Sequence, residues 1–224
     1  MVNIHDSFIN CSDNTQSTSV WAVSGSVIGQ SQKIYDSGLN QNILKIQIQQ
    51  CIIYNNQLFS THKEDFSISG GLIGDSHTSP LIISQIIVNK SIVQAKGEVL
   101  HVVSSSGLIA YMYCSKAEIS EVQIINNKFI ATSLTSYAQS SSSIFSHVLS
   151  IKSVSSINIK ISNSLVSNIT LSIYGPSAYS GIIQCNNRLL ELSFNSVSTS
   201  GKNIIDDVII TNCQNVISQQ QNGC

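Results

Sequence analysis

The chain has 224 residues, of which 42% are hydrophobic and only 10% charged, a balance that excludes intrinsic disorder, which needs low hydrophobicity and high net charge. Eleven basic and 12 acidic residues leave a net charge of −1, and Arg188 is the sole arginine, so recognition of nucleic acid by charge is excluded as well. Usage is skewed to 42 Ser, 35 Ile and 20 Asn.

In chain order, residues 1–23 come first. They carry Phe8-Ile9 and Trp21 and are expected to cap one end of the fold. Met1 to Val20 is broken by Asn3, His5, Asp6, Asn10, Asp13 and Asn14, so it lacks the apolar run of a signal peptide. No segment approaches the roughly 18–20 apolar residues that span a bilayer. That leaves a cytosolic protein or a piece of a longer, exported chain.

From residue 24 a phrase recurs: Ser24-Gly25-Ser26-Val27-Ile28-Gly29, then Ser69-Gly70-Gly71-Leu72-Ile73-Gly74, then Ser105-Ser106-Gly107-Leu108-Ile109-Ala110. It weakens to Ser141-Ser142-Ser143-Ile144-Phe145-Ser146 and returns in part as Ser180-Gly181-Ile182-Ile183. Anchored on Ile28, Ile73, Ile109, Phe145 and Ile183, the steps are 45, 36, 36 and 38 residues, the mark of a tandem array with loop insertions.

A second phrase alternates with the first: Ile53-Tyr54-Asn55-Asn56-Gln57-Leu58-Phe59, Val88-Asn89-Lys90-Ser91-Ile92-Val93, Ile124-Ile125-Asn126-Asn127-Lys128-Phe129-Ile130, and more loosely Ile161-Ser162-Asn163-Ser164-Leu165-Val166. Each reads as a β-branched run, an Asn-based corner and a second apolar pair. Asn suits the corner because it tolerates left-handed backbone angles and its amide bonds nearby backbone. Ile46-Gln47-Ile48 and Ile157-Asn158-Ile159-Lys160-Ile161 show the period-2 alternation of half-buried strands.

Short strands, polar corners, only two prolines and no Asn-Gly turn before Asn222-Gly223 favour a solenoid over a sandwich. The expected fold is all-β, a right-handed parallel β-helix (β-solenoid) filling one domain over 1–224. Residues 1–23 form the cap, 24–200 the repeat coils, and 201–224 the last coil and a polar tail. A 36-residue unit read as two coils gives about ten short coils and a rod of roughly 50 Å. The anchor residues should be buried and stacked on every second coil. A stack of coils has open edges, which permit end-to-end self-association.

Gly71-Leu72-Ile73-Gly74, echoed at Ser26-Val27-Ile28-Gly29 and Gly107-Leu108-Ile109-Ala110, resembles the GLUG motif found in tandem in surface and secreted repeat proteins. The resemblance covers residues 24–184, with only 71–74 complete. It implies an adhesin-like β-solenoid of the cell surface or extracellular space. The family has no shared catalytic residues to carry over.

The chemistry-bearing residues are sparse. Gly74-Asp75-Ser76-His77 contains a hydrolase-like Gly-Asp-Ser, but no Asp-x-x-His follows to supply a base. Asp206-Asp207 pairs two carboxylates, which an extended strand would turn to opposite faces; a solvated turn is expected there. His5, His62, His77, His101 and His147 lack ligand spacing and read as surface imidazoles. The six cysteines, Cys11, Cys51, Cys114, Cys185, Cys213 and Cys224, form no C-x-x-C pair, which argues against a zinc site. Tyr111, Tyr113, Tyr137, Tyr174 and Tyr179 suit core or edge filling better than sugar stacking. The glycosylation patterns at Asn10, Asn89 and Asn168 are near chance in so Asn-rich a chain.

No catalytic, cofactor-binding or metal residues are therefore assigned, and no cofactor. The expected function is a non-enzymatic structural or adhesive repeat domain of a surface or secreted protein. Its partners would be glycans or a host or cell-surface protein, with no nucleic acid. The alternative is a carbohydrate-active β-helix enzyme, a polysaccharide lyase or hydrolase, distinguished by three or more carboxylates meeting in one groove.

Overall fold

In a computed structural model, the structure describes residues 1–13, 21–31, 46–62, 66–76, 80–97, 103–113, 116–133, 139–149, 158–174, 178–183 and 204–218. These form twenty strands, numbered β1 to β20 in chain order. Every described pairing is parallel and nearly all run without a register shift.

Three sheets wrap the chain. Sheet A contains β1 (Val2–His5), β5 (Ile46–Tyr54), β9 (Leu81–Asn89), β13 (Lys116–Ile125), β16 (Asn158–Ser167) and β19 (Ile204–Thr211), hydrogen-bonded in that order. Sheet B stacks β2 (Phe8–Asp13), β6 (Gln57–His62), β10 (Ile92–Gly97), β14 (Lys128–Ser133), β17 (Thr170–Tyr174) and β20 (Gln214–Ser218). Sheet C contains β3 (Trp21–Gly25), β7 (Phe66–Gly70) and β11 (Val103–Ser106) on one arm. Its other arm holds β4 (Ile28–Ser31), β8 (Ile73–Ser76) and β12 (Ile109–Tyr113). Both arms join in β15 (Gln139–Leu149), which also pairs with β18 (Ala178–Ile183). The chain is a parallel β-solenoid.

The anchors of the repeat form one ladder. Ile28 pairs with Ile73, Ile73 with Ile109, Ile109 with Phe145 and Phe145 with Ile183. Ile73 and Ile109 are fully buried and Ile28 is half-buried; the side chains of Phe145 and Ile183 lie outside the described residues. Direct pairing corrects the coil count: residues 36 apart are neighbours, so one repeat is one coil. Sheets A and B each hold six described strands, a stack of about 24 Å between first and last layers at the usual strand spacing, not ten coils. The coil is longer than expected because it has three sides, two of them bent.

The first bend is the Gly phrase itself. β7 and β8 meet at Gly71-Leu72, where Gly71 N–H donates to Ser106 C=O at 2.8 Å and the Leu72 and Ile73 N–H groups both donate to Leu108 C=O at 3.1 and 2.9 Å. A Cβ on Gly70 would overlap the Ile73 carbonyl, and one on Gly71 would overlap the Gly107 carbonyl. The glycines are there because backbone passes where a side chain would stand. Leu72, Ile73, Leu108 and Ile109 then turn into the core, each fully buried.

The second bend lies midway along sheet A. Gln50, Gln85, Glu121, Asn163 and Asp207 occupy equivalent positions and all adopt left-handed backbone angles, φ 55°, 57°, 55°, 48° and 49°. One such residue per strand shifts the alternation by one place. In β9 the inward residues are Leu81 and Ile83 before the bend, then Ile86 and Val88 after it, all fully buried.

The third turn joins sheets A and B. Asp6, Asn55, Lys90, Asn126, Asn168 and Asn212 sit there, again left-handed at φ 52–57°. The Asn phrases at 55 and 126 are thus corners, as expected. The fourth copy is misplaced: Asn163 belongs to the bend inside sheet A, and the true corner is Ser167-Asn168-Ile169.

Residues 2–13, expected within a cap, form β1 and β2 and pair in register with β5 and β6. The first coil is an edge of the stack, with Val2 and Phe8 exposed. No helix among the described residues is long and apolar enough to cross a membrane.

Candidate functional site

The outer face of sheet A carries an open groove of about 620 Å³, lined by Glu121, Gln123, Asn163, Ser164, Leu165, Asp207 and Ile209. Its two walls are two columns of the ladder. Glu121, Asn163 and Asp207 come from the left-handed bend of β13, β16 and β19; Gln123, Leu165 and Ile209 pair two residues further along. The bend supplies exposed side chains at a point where strict alternation would have turned one of each pair inward.

The groove spans three coils and is chemically mixed. One wall alternates carboxylate, amide and carboxylate; the other has an amide and two aliphatic side chains, of which Ile209 is 61% exposed. Glu121 and Asp207 are separated by two strand spacings, about 10 Å along the stack, with the Asn163 amide between them. Such a wall offers hydrogen-bond donors and acceptors beside apolar surface, the combination that orients a bound ligand. At the floor, Ser164 Oγ donates to Ser162 C=O at 2.8 Å and accepts from Val122 N–H at 3.3 Å, which fixes the bend between β13 and β16.

Beside the groove, the A–B corner carries a ladder of amides. Asn55 Nδ2 donates to Asp6 Oδ1 at 2.7 Å, Asn126 Nδ2 to Asn89 Oδ1 at 3.1 Å, and Asn168 Nδ2 to Asn126 Oδ1 at 3.0 Å. Asn89 and Asn168, two of the glycosylation-pattern residues, are engaged in this ladder, and Asn10 is exposed on β2. Behind it, buried Asn127 accepts from Ser91 N–H at 2.7 Å and donates to Val88 C=O at 2.8 Å. Lys90 Nζ donates to Tyr54 Oη at 2.9 Å, and this bond raises the Lys90 pKa. The Asn55 bond, then the His5 bond, hold the Asp6 carboxyl below its ordinary value.

The residues singled out from sequence are dispersed. Asp75 and Ser76 are fully buried on β8, with Gln30 Nε2 donating to Asp75 Oδ2 at 3.0 Å; a serine so placed meets no substrate, and His77 lies outside the described residues. Asp206 and Asp207 are both exposed, because the left-handed Asp207 breaks the alternation expected of an extended pair. Only Asp207 lines the groove.

Among the histidines, His5 is exposed and bonds Asp6 at 3.0 Å. His62 corrects the surface reading: it is 1% exposed, because the inward period of β6 runs through Leu58, Ser60 and His62. His77, His101 and the side chain of His147 lie outside the described residues. Tyr111 is buried and Tyr174 is 39% exposed; the side chains of Tyr113, Tyr137 and Tyr179 lie outside the described residues. Cys11, Cys51 and Cys213 are free thiols, and burial raises the Cys51 pKa; Cys114, Cys185 and Cys224 lie outside the described residues. Among the described residues no group of three or more His, Cys, Asp or Glu could hold a metal ion.

Fold and groove together define a parallel β-solenoid with a polar, aliphatic-flanked recess on one outer face. Comparison with protein-family models, with curated proteins and with solved structures gives no match for this chain.

Proposed function

We propose that the chain is a structural or adhesive β-solenoid segment of a surface or secreted protein, and that it binds a glycan or a cell-surface protein through the groove of sheet A. The observation that carries this reading is the groove wall Glu121–Asn163–Asp207 facing Gln123, Leu165 and Ile209. Neutral amides and carboxylates bond hydroxyls or backbone amides, and the aliphatic column packs the apolar face of a sugar ring or side chain. The resemblance of Gly71-Leu72-Ile73-Gly74 to the GLUG motif supports the surface assignment.

The carbohydrate-active alternative needs carboxylates that act on one bond. Here the groove is lined by two carboxylates, Glu121 and Asp207, with the Asn163 amide between them, short of the three or more in one groove that the enzyme reading requires. That count favours binding over proton transfer.

The test is binding of the chain to arrayed glycans and to immobilised surface proteins, compared with the triple variant E121A/N163A/D207A. Loss of binding with an unchanged β-rich circular dichroism spectrum supports the groove. Binding untouched by the triple variant overturns it. Cleavage of a polysaccharide that vanishes in Glu121→Ala or Asp207→Ala transfers the reading to the enzyme class.

A further inference from the structure

The groove is part of a longer track on the outer face of sheet A. The left-handed column runs from Gln50 and Gln85 to Asp207 and sets one exposed polar side chain on each of β5, β9, β13, β16 and β19. Beside it stands a second outward column, Ile52, Ile87, Gln123, Leu165 and Ile209, each paired with the next. All but Gln123 are aliphatic. The face therefore carries a polar rail and an apolar rail, side by side, both running along the solenoid axis.

The rails offer a ligand side chains and no backbone. β9, β13 and β16 are each paired on both sides, so a peptide finds no free ladder to join as an added strand. A ligand lying along the axis must instead match the coil spacing, about 4.8 Å. An extended peptide repeats its same-side groups about every 6.8 Å and falls out of step with the rails within two coils. A β-1,4-linked pyranose chain advances, per sugar, by close to one strand spacing. Its flat ring faces suit an aliphatic strip, and its edge substituents reach a neighbouring row of amides and carboxylates.

Successive sugars in such a chain are turned over, so the substituents of alternate sugars fall on one side. Glu121 and Asp207 stand two coils apart on the polar rail, with the Asn163 amide between them. Two alternate sugars would thus present the same substituent to the two carboxylates, and the turned sugar between them would face the amide. Charge selects that substituent. No lysine, arginine or histidine lines the groove. The lysines of the sheet A strands, Lys116 and Lys160, stand on the other side of the bend around Glu118: Lys116 Nζ lies 2.8 Å from Glu118 Oε1, and Lys160 pairs with Glu118 in register. The carboxylates of the groove call for a cation from the ligand, and on a sugar that cation is an amine.

We propose that the ligand is a linear amino-sugar polysaccharide of the β-1,4-glucosamine type, laid along the solenoid axis with about one sugar per coil. The assignment rests on the groove being the binding site and names what fills it. Two charged contacts fall at Glu121 and Asp207, and the track toward Gln50 and Ile52 adds neutral contacts for a longer chain.

The test is binding of the full chain to β-1,4-glucosamine oligomers from dimer to octamer, beside the N-acetylated oligomers and a lysine-bearing peptide of equal charge. Affinity should rise with length and level off near the pentamer. The N-acetylated pentamer should bind about tenfold more weakly, the loss of two exposed ion pairs. Raised salt should narrow that gap, and the charge-free variant E121Q/D207Q should close it. Ile87→Ser, which interrupts the apolar rail outside the groove, should bring the pentamer down to the affinity of the trimer.

The failures separate. N-acetylated or acidic glycans that bind as tightly as the amine, and lose binding in E121A/N163A/D207A, overturn the amino-sugar assignment and leave the groove as the site. The lysine-bearing peptide binding more tightly than the glucosamine pentamer, or affinity that does not change beyond the dimer, overturns the axial sugar chain in the same way. Oligomer binding that survives E121A/N163A/D207A overturns the groove itself. A chain that binds no glucosamine oligomer overturns the proposal outright.

Discussion

Asn55 stands directly over Asp6 at successive corners of the solenoid, and its Nδ2 donates to Asp6 Oδ1 at 2.7 Å. The bond favours the ionised acid, so Asp6 titrates below its ordinary value of 3.8, with the His5 hydrogen bond as a second cause. A carboxyl depressed on folding contributes stability above its unfolded pKa and loses it as pH falls through the folded one. The melting temperature should therefore drop as pH is taken below 3.8. In Asn55→Ala the Asp6 titration, followed by NMR, should move up toward the ordinary value. An unchanged titration in that variant would show that the corner pairing does not govern Asp6.

Behind the exposed ladder, Asn127 satisfies backbone on both sides, accepting from Ser91 N–H and donating to Val88 C=O. Asn127→Ala leaves the Ser91 donor buried and unpaired, which costs about 1–3 kcal/mol. Asn126→Gly, one residue away but exposed and left-handed at φ 57°, keeps the backbone angle and should cost under about 1 kcal/mol. Urea unfolding of the two variants measures the difference; equal losses would contradict the division of the corner into a buried and a solvated half.

The Gly phrase separates into required and tolerant positions. Gly70→Ala drives a Cβ into the Ile73 carbonyl, whereas at Gly29 the nearest atom, Val23 C=O oxygen, is 3.6 Å away. Gly70→Ala should destabilise by about 3 kcal/mol or more, the upper end of overpacking effects. Gly29→Ala should change stability by under about 1 kcal/mol. Thermal denaturation of both variants decides, and comparable losses would rule out close backbone approach as the reason for the motif.

The left-handed column of sheet A predicts a residue-type effect on an exposed surface. Gln85 has φ 57°, a region that β-branched side chains avoid. Gln85→Val should cost about 1–2 kcal/mol although the site is exposed, and Gln85→Asn should be near neutral. Denaturant titration is the readout; a neutral Gln85→Val would mean that the bend relaxes freely.

These features differ in how far the sequence announces them. The ladder from Ile28 to Ile183 is visible as a repeated apolar position at near-constant steps, and the corners at Asn55 and Asn126 are visible because Asn is the residue best suited to that backbone. The coil length is not visible, since a period fixes the distance between equivalent residues but not the number of sides between them. Nor is the bend at Gln50, Gln85, Glu121, Asn163 and Asp207: its members share a backbone angle and no side-chain type. The groove inherits that silence. Glu121, Asn163 and Asp207 lie 42 and 44 residues apart and become neighbours only once the register is known. The burial of His62 is hidden in the sequence because Ser60-Thr61-His62 is polar like a loop, although it continues the inward alternation that starts at Leu58.

One coil per repeat is tested most directly by a disulfide across 36 residues. Ile87 and Gln123 pair on adjacent strands of sheet A, so their Cα atoms lie about one strand spacing apart, 4.8 Å, within disulfide reach. If each repeat made two coils, the same residues would be about 10 Å apart and out of reach. Mild oxidation of I87C/Q123C should produce an intramolecular disulfide in the folded chain, identified by mass spectrometry of the linked peptides. A folded I87C/Q123C that keeps both thiols free under the same conditions would contradict the stacking.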